Sequence, residues 1–240
     1  MNILFLGNSL MFFNDMPAIF DNIAKSFGKD LFVRSITKGG ATMTDFTLKE
    51  SRVGQEFAKA ISEQAWDYII IEPSRRITPY ENSVLEVERA SAKILYDAAK
   101  ANGAEILLYC VWGNNSGDLK LFKADSPTHM TSGEMLPITR EEHARFMHGI
   151  SLRVSNDLGG VRIIEAGSAF ENLITEHPEI NLYHEDKKHP SPEGSYLAAC
   201  AVYSTIFGEK TEGASYTFGL ETAEKLQKAS DAAVIDKKTL

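Results

Sequence analysis

Cysteine is scarce in this chain, and that scarcity argues against two kinds of protein. Only Cys110 and Cys200 occur in 240 residues, and both lie within apolar runs. A disulfide framework needs several cysteine pairs, and a cysteine-ligated zinc site needs closely spaced ones. We therefore expect two buried, reduced thiols and no disulfide scaffold.

Long hydrophobic runs, basic clusters and linkers are also missing. No apolar run approaches the roughly 20 residues that a membrane-spanning helix needs. Lysine and arginine are scattered through a chain of formal net charge −8, whereas nucleic-acid binding needs a clustered basic face. We expect neither a nucleic-acid nor a membrane partner, and the sequence does not indicate an oligomeric state. Without a linker or repeat, residues 1–240 are expected to form one domain.

The N-terminus begins directly with a strand-like segment. It shows no basic region and no cleavage site of the kind that marks a secretory signal. A cytoplasmic location is the expectation, or a periplasmic or secreted one if a leader has been removed.

Strand-like and helix-like segments alternate along the chain, which predicts a parallel sheet with helices on both faces. The predicted strands are Asn2–Leu6, Leu31–Ile36, Tyr68–Glu72, Glu105–Val111 and Arg162–Glu165. The predicted helices are Met16–Phe27, Ser83–Asn102, a helix opened by the capping box at Thr139, one capped by Ser191, and Thr222–Val234. Trp112–Ile138 is rich in Gly, Asn, Asp, Ser and Pro, and is either a substrate-facing loop or disordered.

Three residues supply the parts of a nucleophilic relay. Ser9 follows the first strand, so it should lie at the carboxyl edge of the sheet, where ligands bind in open α/β folds. A serine hydroxyl needs a histidine to take its proton and a third group to orient that histidine. His189 is the candidate base, and Asp186, three residues earlier, is the candidate orienting acid.

A metal centre is a weaker interpretation of the histidines. The five others show no ligand spacing and no cysteine pair supports zinc: His129, His143, His148, His177 and His184. We expect no metal and no organic cofactor.

Two short blocks carry a family resemblance. Gly7-Asn8-Ser9-Leu10 resembles the first block of the SGNH/GDSL hydrolases, with Asn8 where Asp is commoner, and Asp186-x-x-His189-Pro-Ser resembles their last block. Gly39-Gly40 is similar to the second block, whose glycine donates its N–H to the oxyanion. The likeness is greatest to a bacterial subgroup, and it implies a flavodoxin-like three-layer α/β/α sandwich around a five-stranded parallel sheet.

The third block departs from the family pattern. The family usually has Gly-x-Asn-Asp after strand three, and the Asn side chain completes the oxyanion hole, whereas here the strand ends Ile71-Glu72-Pro73-Ser74. Losing such a donor costs about 10²–10³-fold in turnover. Ser74 or an arginine could replace it, Asn114 or Asn115 could enter from beyond strand four, or the site could be slow. The N–H groups of Ser9 and Gly40 remain.

Two consecutive arginines follow this block. The guanidinium groups of Arg75 and Arg76 could bind a carboxylate on the substrate, or could instead pair with surface acids such as Glu72 and Glu81. Asn8, Arg75, Arg76 and Trp112 are the expected substrate-binding residues.

The prediction from these residues is ester hydrolysis by Ser9, His189 and Asp186. The resemblance implies a carbohydrate O-acyl esterase or a lipase-like enzyme for small esters, and we favour small acyl groups, such as acetyl, on a polar alcohol. The alternatives are acyl transfer by the same relay, or a catalytically weak protein that binds a glycan or another small molecule.

Overall fold

The computed structural model describes residues 1–240 and contains seven strands and nine helices. The strands are β1 (Asn2–Gly7), β2 (Phe32–Thr37), β3 (Tyr68–Ile71), β4 (Glu105–Tyr109), β5 (Asp118–Ser126), β6 (His129–Pro137) and β7 (Ile163–Ile164). The helices are α1 (Ser9–Phe12), α2 (Met16–Ser26), α3 (Met43–Thr47), α4 (Arg52–Glu63), α5 (Ser83–Asn102), α6 (Arg140–Asp157), α7 (Ala166–Glu176), α8 (Pro192–Phe207) and α9 (Leu220–Val234). None of the helices combines the length and hydrophobicity that a membrane span requires.

The main sheet is parallel and has five strands in the order β2-β1-β3-β4-β7. Counted within the sheet alone, this is the flavodoxin-like order 2-1-3-4-5. The predicted fold class, a five-stranded α/β sandwich, is therefore confirmed. The order reverses between β1 and β3, so the ligand crevice is expected outside their carboxyl ends.

Alternation along β1 explains the three layers. Ile3 and Phe5 belong to one apolar cluster, which α2, α7, α8 and α9 cover, whereas Leu4 and Leu6 belong to a second cluster beneath α3, α4 and α5. All four side chains are almost completely buried. Both faces of the strand are thus dry, as its unbroken apolar sequence requires.

Helix ends follow the local sequence signals. Thr139 and Glu142 form the predicted capping box at the start of α6, and Ser191 caps α8 by accepting a hydrogen bond from Gly194 N–H (3.1 Å). The helix predicted over Ser83–Asn102 has those bounds. Helices α1, α3, α4 and α7 were not predicted, although α4 carries apolar residues at helical spacing.

The segment predicted as a loop or as disorder, Trp112–Ile138, is corrected by the structure. Most of it forms the antiparallel hairpin β5–β6 around Pro127-Thr128. The hairpin is tied to α5, where Ser83 Oγ accepts a hydrogen bond from Ala124 N–H (2.8 Å). The segment is therefore ordered. It also borders the site, because part of β5 faces the crevice at the carboxyl edge of the sheet.

Candidate active site

The turn after β1 presents Ser9. Asn8 caps α1, its Oδ1 accepting from Leu10 N–H (3.0 Å) while its Nδ2 donates to the carbonyl of Ala41 (3.3 Å). Its own N–H donates to Glu72 Oε2 (3.1 Å). Both ends of the Asn8 amide are thus engaged within the protein, so this residue, predicted to bind substrate, serves first to fix the serine turn.

Glycine is required immediately before this turn. A Cβ at Gly7 would lie 2.8 Å from Glu72 Oε2 and 2.6 Å from Met11 Sδ. These contacts are shorter than side chains tolerate, so Gly7 permits β1 to pass directly over the buried carboxylate.

The structure brings Ser9, His189 and Asp186 together. His189 Nε2 lies 2.7 Å from Ser9 Oγ, and the opposite ring nitrogen, Nδ1, bonds Asp186 Oδ2. The phenyl ring of Phe13 stacks on the imidazole with 4.5 Å between centroids. Sequence analysis did not find Phe13, because nothing in its local sequence distinguishes it from a core residue.

Asp186 is held by more than the histidine. Its Oδ1 accepts the backbone N–H groups of Lys188 and His189, each at 2.9 Å. Partial burial alone would raise the pKa of Asp186, but the hydrogen bonds from the His189 ring and from the two backbone N–H groups hold that pKa well below its ordinary value. The carboxylate is therefore charged wherever the protein is folded near neutral pH.

The carbonyl of Lys188, which directly precedes the histidine, is also fixed. Trp112 Nε1–H donates to it (3.1 Å), and so does Arg75 Nη1–H (3.2 Å). Trp112 is fully buried and stacks on Phe170 with 4.1 Å between ring centroids. The prediction that Trp112 contacts substrate is therefore corrected: no face of the indole reaches the crevice, and its visible role is to position the His189 loop.

Two backbone N–H groups are available at the crevice. Ser9 is the first residue of α1, and such a residue has no acceptor within its own helix. Gly40 N–H makes no hydrogen bond within the protein. Gly40 adopts a left-handed φ of 64°, and a Cβ there would approach Arg76 Nη2 to 3.1 Å. Both residues line the same cleft.

Of the predicted serine and asparagine replacements for the third-block Asn, Ser74 has the freest donor. It lines the cleft, and its Oγ accepts from Arg76 N–H (3.2 Å), which leaves the hydroxyl proton without a protein acceptor. Asn114 also lines the cleft, but its Nδ2 donates to the Asp118 carbonyl (3.3 Å). Asn115 is exposed and lies outside the cleft. The arginine alternative, Arg76, also lines the cleft, and its guanidinium makes no hydrogen bond within the protein.

Two buried carboxylates lie behind the third block. Burial raises the pKa of Glu72 to about 8 and that of Glu88 to about 7, in both cases against the hydrogen bonds that they accept. Glu88 Oε2 accepts from the backbone N–H groups of Met43 and Ser74. Glu72 thus anchors the turn that carries Ser9, and Glu88 links the start of α3 to the segment that follows β3. Sequence analysis identified neither role.

Neither Arg75 nor Arg76 forms an ion pair, so the expected alternative of pairing with Glu72 or Glu81 is wrong. The arginines that do are Arg52, Arg89, Arg140 and Arg162. Arg75 Nη2 donates to Asn114 Oδ1 (2.7 Å), and burial lowers its pKa to about 10. Arg76 places its guanidinium over the ring of Phe122, 5.4 Å from the centroid.

The cleft is small and contains Ser9 and His189 together. Its volume is about 280 Å³, and residues following β1, β2, β3 and β4 line it with the hairpin and the His189 loop. No group of three or more His, Cys, Asp or Glu side chains is placed to hold a metal ion. The chemistry available here is that of a serine hydroxyl beside an oriented imidazole.

Solved structures resemble this chain over most of its length. A Slackia heliotrinireducens protein described as a candidate SGNH hydrolase is 26% identical, with a TM-score of 0.67, and the match covers 86% of this chain and 98% of that one. A DUF4886 family protein from Bacteroides uniformis is 14% identical, with a TM-score of 0.73, over 100% of this chain and 96% of that one. An acetyl xylan esterase is 10% identical, with a TM-score of 0.61, over 86% and 100%.

Sequence comparison adds nothing to these matches, since no protein-family profile and no curated protein matches the chain. The match to the Slackia protein supports, by structure, the resemblance to the SGNH/GDSL superfamily seen in the first and last blocks. The other two matches, which are below 25% identity, show the shared fold. The fold is therefore one that this chain shares with a protein described as a candidate SGNH hydrolase.

Proposed function

We propose that this protein is a serine esterase that removes a small acyl group, such as acetyl, from a polar alcohol, the carbohydrate esters being the first class to test. The observation that carries this proposal is the 2.7 Å contact between Ser9 Oγ and His189 Nε2, with Asp186 on the other ring nitrogen. A protein that only binds a ligand has no need of that relay.

The mechanism follows from the geometry. His189 Nε2 takes the Ser9 proton as Oγ attacks the acyl carbonyl, and Asp186 stabilises the resulting imidazolium. In this proposal the N–H groups of Ser9 and Gly40 donate to the oxyanion, and Ser74 Oγ–H is the third donor. His189 then protonates the leaving alcohol, and water, deprotonated by the same nitrogen, releases the acid and restores Ser9.

Cleft size supports a small substrate. A volume of about 280 Å³ lies just below the range of about 300–1,000 Å³ usual for sites that hold drug-sized ligands. This volume can enclose an acyl chain of a few carbons beside Ser9, whereas a long lipid chain would have to extend beyond the cleft. Among the neighbours, the acetyl xylan esterase is named for a reaction of this kind.

The first experiment compares wild type and Ser9→Ala on p-nitrophenyl acetate and butyrate. We expect hydrolysis that disappears in the variant and is faster for acetate. Ser62→Ala, an exposed serine on α4, is the matched control and should behave as wild type. Labelling with a fluorophosphonate, followed by peptide mass mapping, should place the adduct on Ser9. Equal rates in wild type and Ser9→Ala, with no adduct, would refute the proposal.

Acyl transfer uses the same acyl-enzyme and differs only in the acceptor. Adding an alcohol such as glycerol or a xylooligosaccharide to the assay separates the two reactions. An esterase releases acid in proportion to the ester consumed, whereas a transferase accumulates the acylated acceptor.

A further inference from the structure

The cleft that contains Ser9 is lined by cations and by no acid. Arg75, Arg76, Lys120 and Lys188 all border it, and no Asp or Glu does. The whole chain carries a formal charge of −8. A positive cleft on a negative protein is a local arrangement that total charge does not explain, and such clefts attract anions.

None of these cations forms an ion pair within the protein, although Glu72 and Asp186 lie near enough to Arg75 to influence its pKa. The lysines in ion pairs are found elsewhere, at Lys25, Lys29, Lys38, Lys59, Lys93 and Lys225. The guanidinium of Arg75 donates hydrogen bonds to the Lys188 carbonyl and to Asn114 Oδ1. Arg76 makes no side-chain hydrogen bond, and its guanidinium is half-buried against Phe122 and beside Gly40. Its donors are therefore free for a ligand.

Position decides what such a ligand can be. Arg76 Nη2 lies beside Gly40, whose N–H is a proposed oxyanion donor, and Lys188 directly precedes His189, the proposed general acid for the leaving alcohol. An anion bound here is thus within one small molecule's length of the scissile bond. A guanidinium presents a planar fork that matches a carboxylate.

We propose that the substrate is an ester that carries a carboxylate, and that Arg76 binds this carboxylate with help from Lys120. The proposal rests on the esterase function proposed above and names its substrate class. The carboxylate could sit on the acyl side or on the alcohol side of the ester, and the test has one arm for each.

The test compares each anionic ester with its neutral amide. Monoethyl succinate against ethyl succinamate examines the acyl side, and 4-acetoxybenzoate against 4-acetoxybenzamide examines the alcohol side. We expect wild type to prefer the anion in one pair by about tenfold or more in kcat/KM, which corresponds to about 1.4 kcal/mol. Because salt screens exposed charges, the preference should shrink at 1 M NaCl.

Variants assign the preference to residues. Arg76→Gln should bring the ratio near one mainly by raising KM for the anionic ester, while the amide is little affected, and Lys120→Gln should have a smaller effect. Arg76→Lys keeps the charge and should restore part of the preference. Lys123→Gln removes an exposed lysine of the same hairpin that lies outside the cleft, and should match wild type.

A binding measurement separates this inference from the esterase proposal. Calorimetry with Ser9→Ala should give a tighter Kd for one of the two anionic esters than for its amide, and Arg76→Gln in that background should abolish the difference. Differential binding without turnover in wild type would refute the esterase and support the anion site. Turnover that depends on Ser9, with equal kcat/KM and equal Kd across both pairs, would overturn the anion site alone.

Discussion

Replacing Asp186 with Asn tests the relay without disturbing the loop that carries it. Asp186 Oδ1 accepts two backbone N–H groups, from Lys188 and His189, and Asn retains a carbonyl oxygen that accepts both. The amide NH₂ must then face His189 Nδ1, because the reverse orientation would set NH₂ against two N–H donors. The two backbone bonds thus dictate how the new side chain sits.

In that orientation the Asn NH₂ donor lies where the Asp186 carboxylate had accepted a hydrogen bond from His189 Nδ1. His189 Nδ1 must become an acceptor, so the ring proton moves to Nε2, which then points an N–H at Ser9 Oγ and cannot take its proton. The equivalent change in another serine hydrolase lowers kcat about 10⁴-fold, which corresponds to about 5.5 kcal/mol of transition-state stabilisation. Folding should change far less, by about 1 kcal/mol, since a single exposed hydrogen bond is exchanged.

The assay is steady-state hydrolysis of p-nitrophenyl acetate alongside urea unfolding. We expect Asp186→Asn to approach the Ser9→Ala background while its unfolding midpoint stays close to wild type. Asp125→Asn, in the β5 strand away from the triad, is the control and should leave both quantities unchanged. An Asp186→Asn enzyme within tenfold of wild type would show that the carboxylate does not set the tautomer of His189.

Ser74, Glu88 and Gly54 each allow a further test. Ser74→Ala should lower kcat about 10²–10³-fold with little change in KM, because it removes the proposed third oxyanion donor; unchanged steady-state kinetics would exclude that role. Burial raises the pKa of Glu88 to about 7 from an ordinary 4.5, so the folded protein keeps a proton that the unfolded chain releases. Its contribution to stability is full below about pH 4.5 and is lost as pH rises through 7, by up to about 1.4 kcal/mol per unit. Urea unfolding at pH 5, 6 and 7 should show a shallower fall for Glu88→Gln, and parallel curves would contradict the protonated state. Gly54→Ala would place a Cβ 2.0 Å from the Leu48 carbonyl oxygen and should lower the thermal midpoint sharply, whereas Gly149→Ala, with no atom within 4 Å, should raise it by removing a helical glycine.

The parts that the sequence predicted best are those whose signals are local. The capping box at Thr139 and the Gly that ends α5 mark boundaries within a few residues, so the bounds of α5 came out as observed. Ser9 and His189 were placed at the same sheet edge because parallel strands share that edge, which needs topology but no side-chain detail.

The parts that could not be predicted depend on contacts between distant segments. Trp112 reads as a residue at the ligand edge, and only tertiary packing against Phe170 shows that it is buried. The cationic lining joins Lys120, Arg76 and Lys188 from three separate segments. The hairpin was missed for a different reason. Apolar and polar residues alternate in part of Leu119-Lys120-Leu121-Phe122, and Pro127 marks a turn, so the sequence did contain signals of a hairpin. The polar composition of the whole segment outweighed them.

The separation of the relay residues along the chain has a consequence for folding. Asp186 and His189 are three residues apart in a loop closed by the Tyr183–Pro190 bridge, so their contact is local and we expect it to form early. Ser9 is 180 residues away and meets His189 only when β1 is paired and α8 is packed. Contacts of such high sequence separation form late, after chain entropy has been lost. Recovery of the proposed esterase activity during refolding should therefore lag behind helix formation, and would report completion of the whole sheet topology.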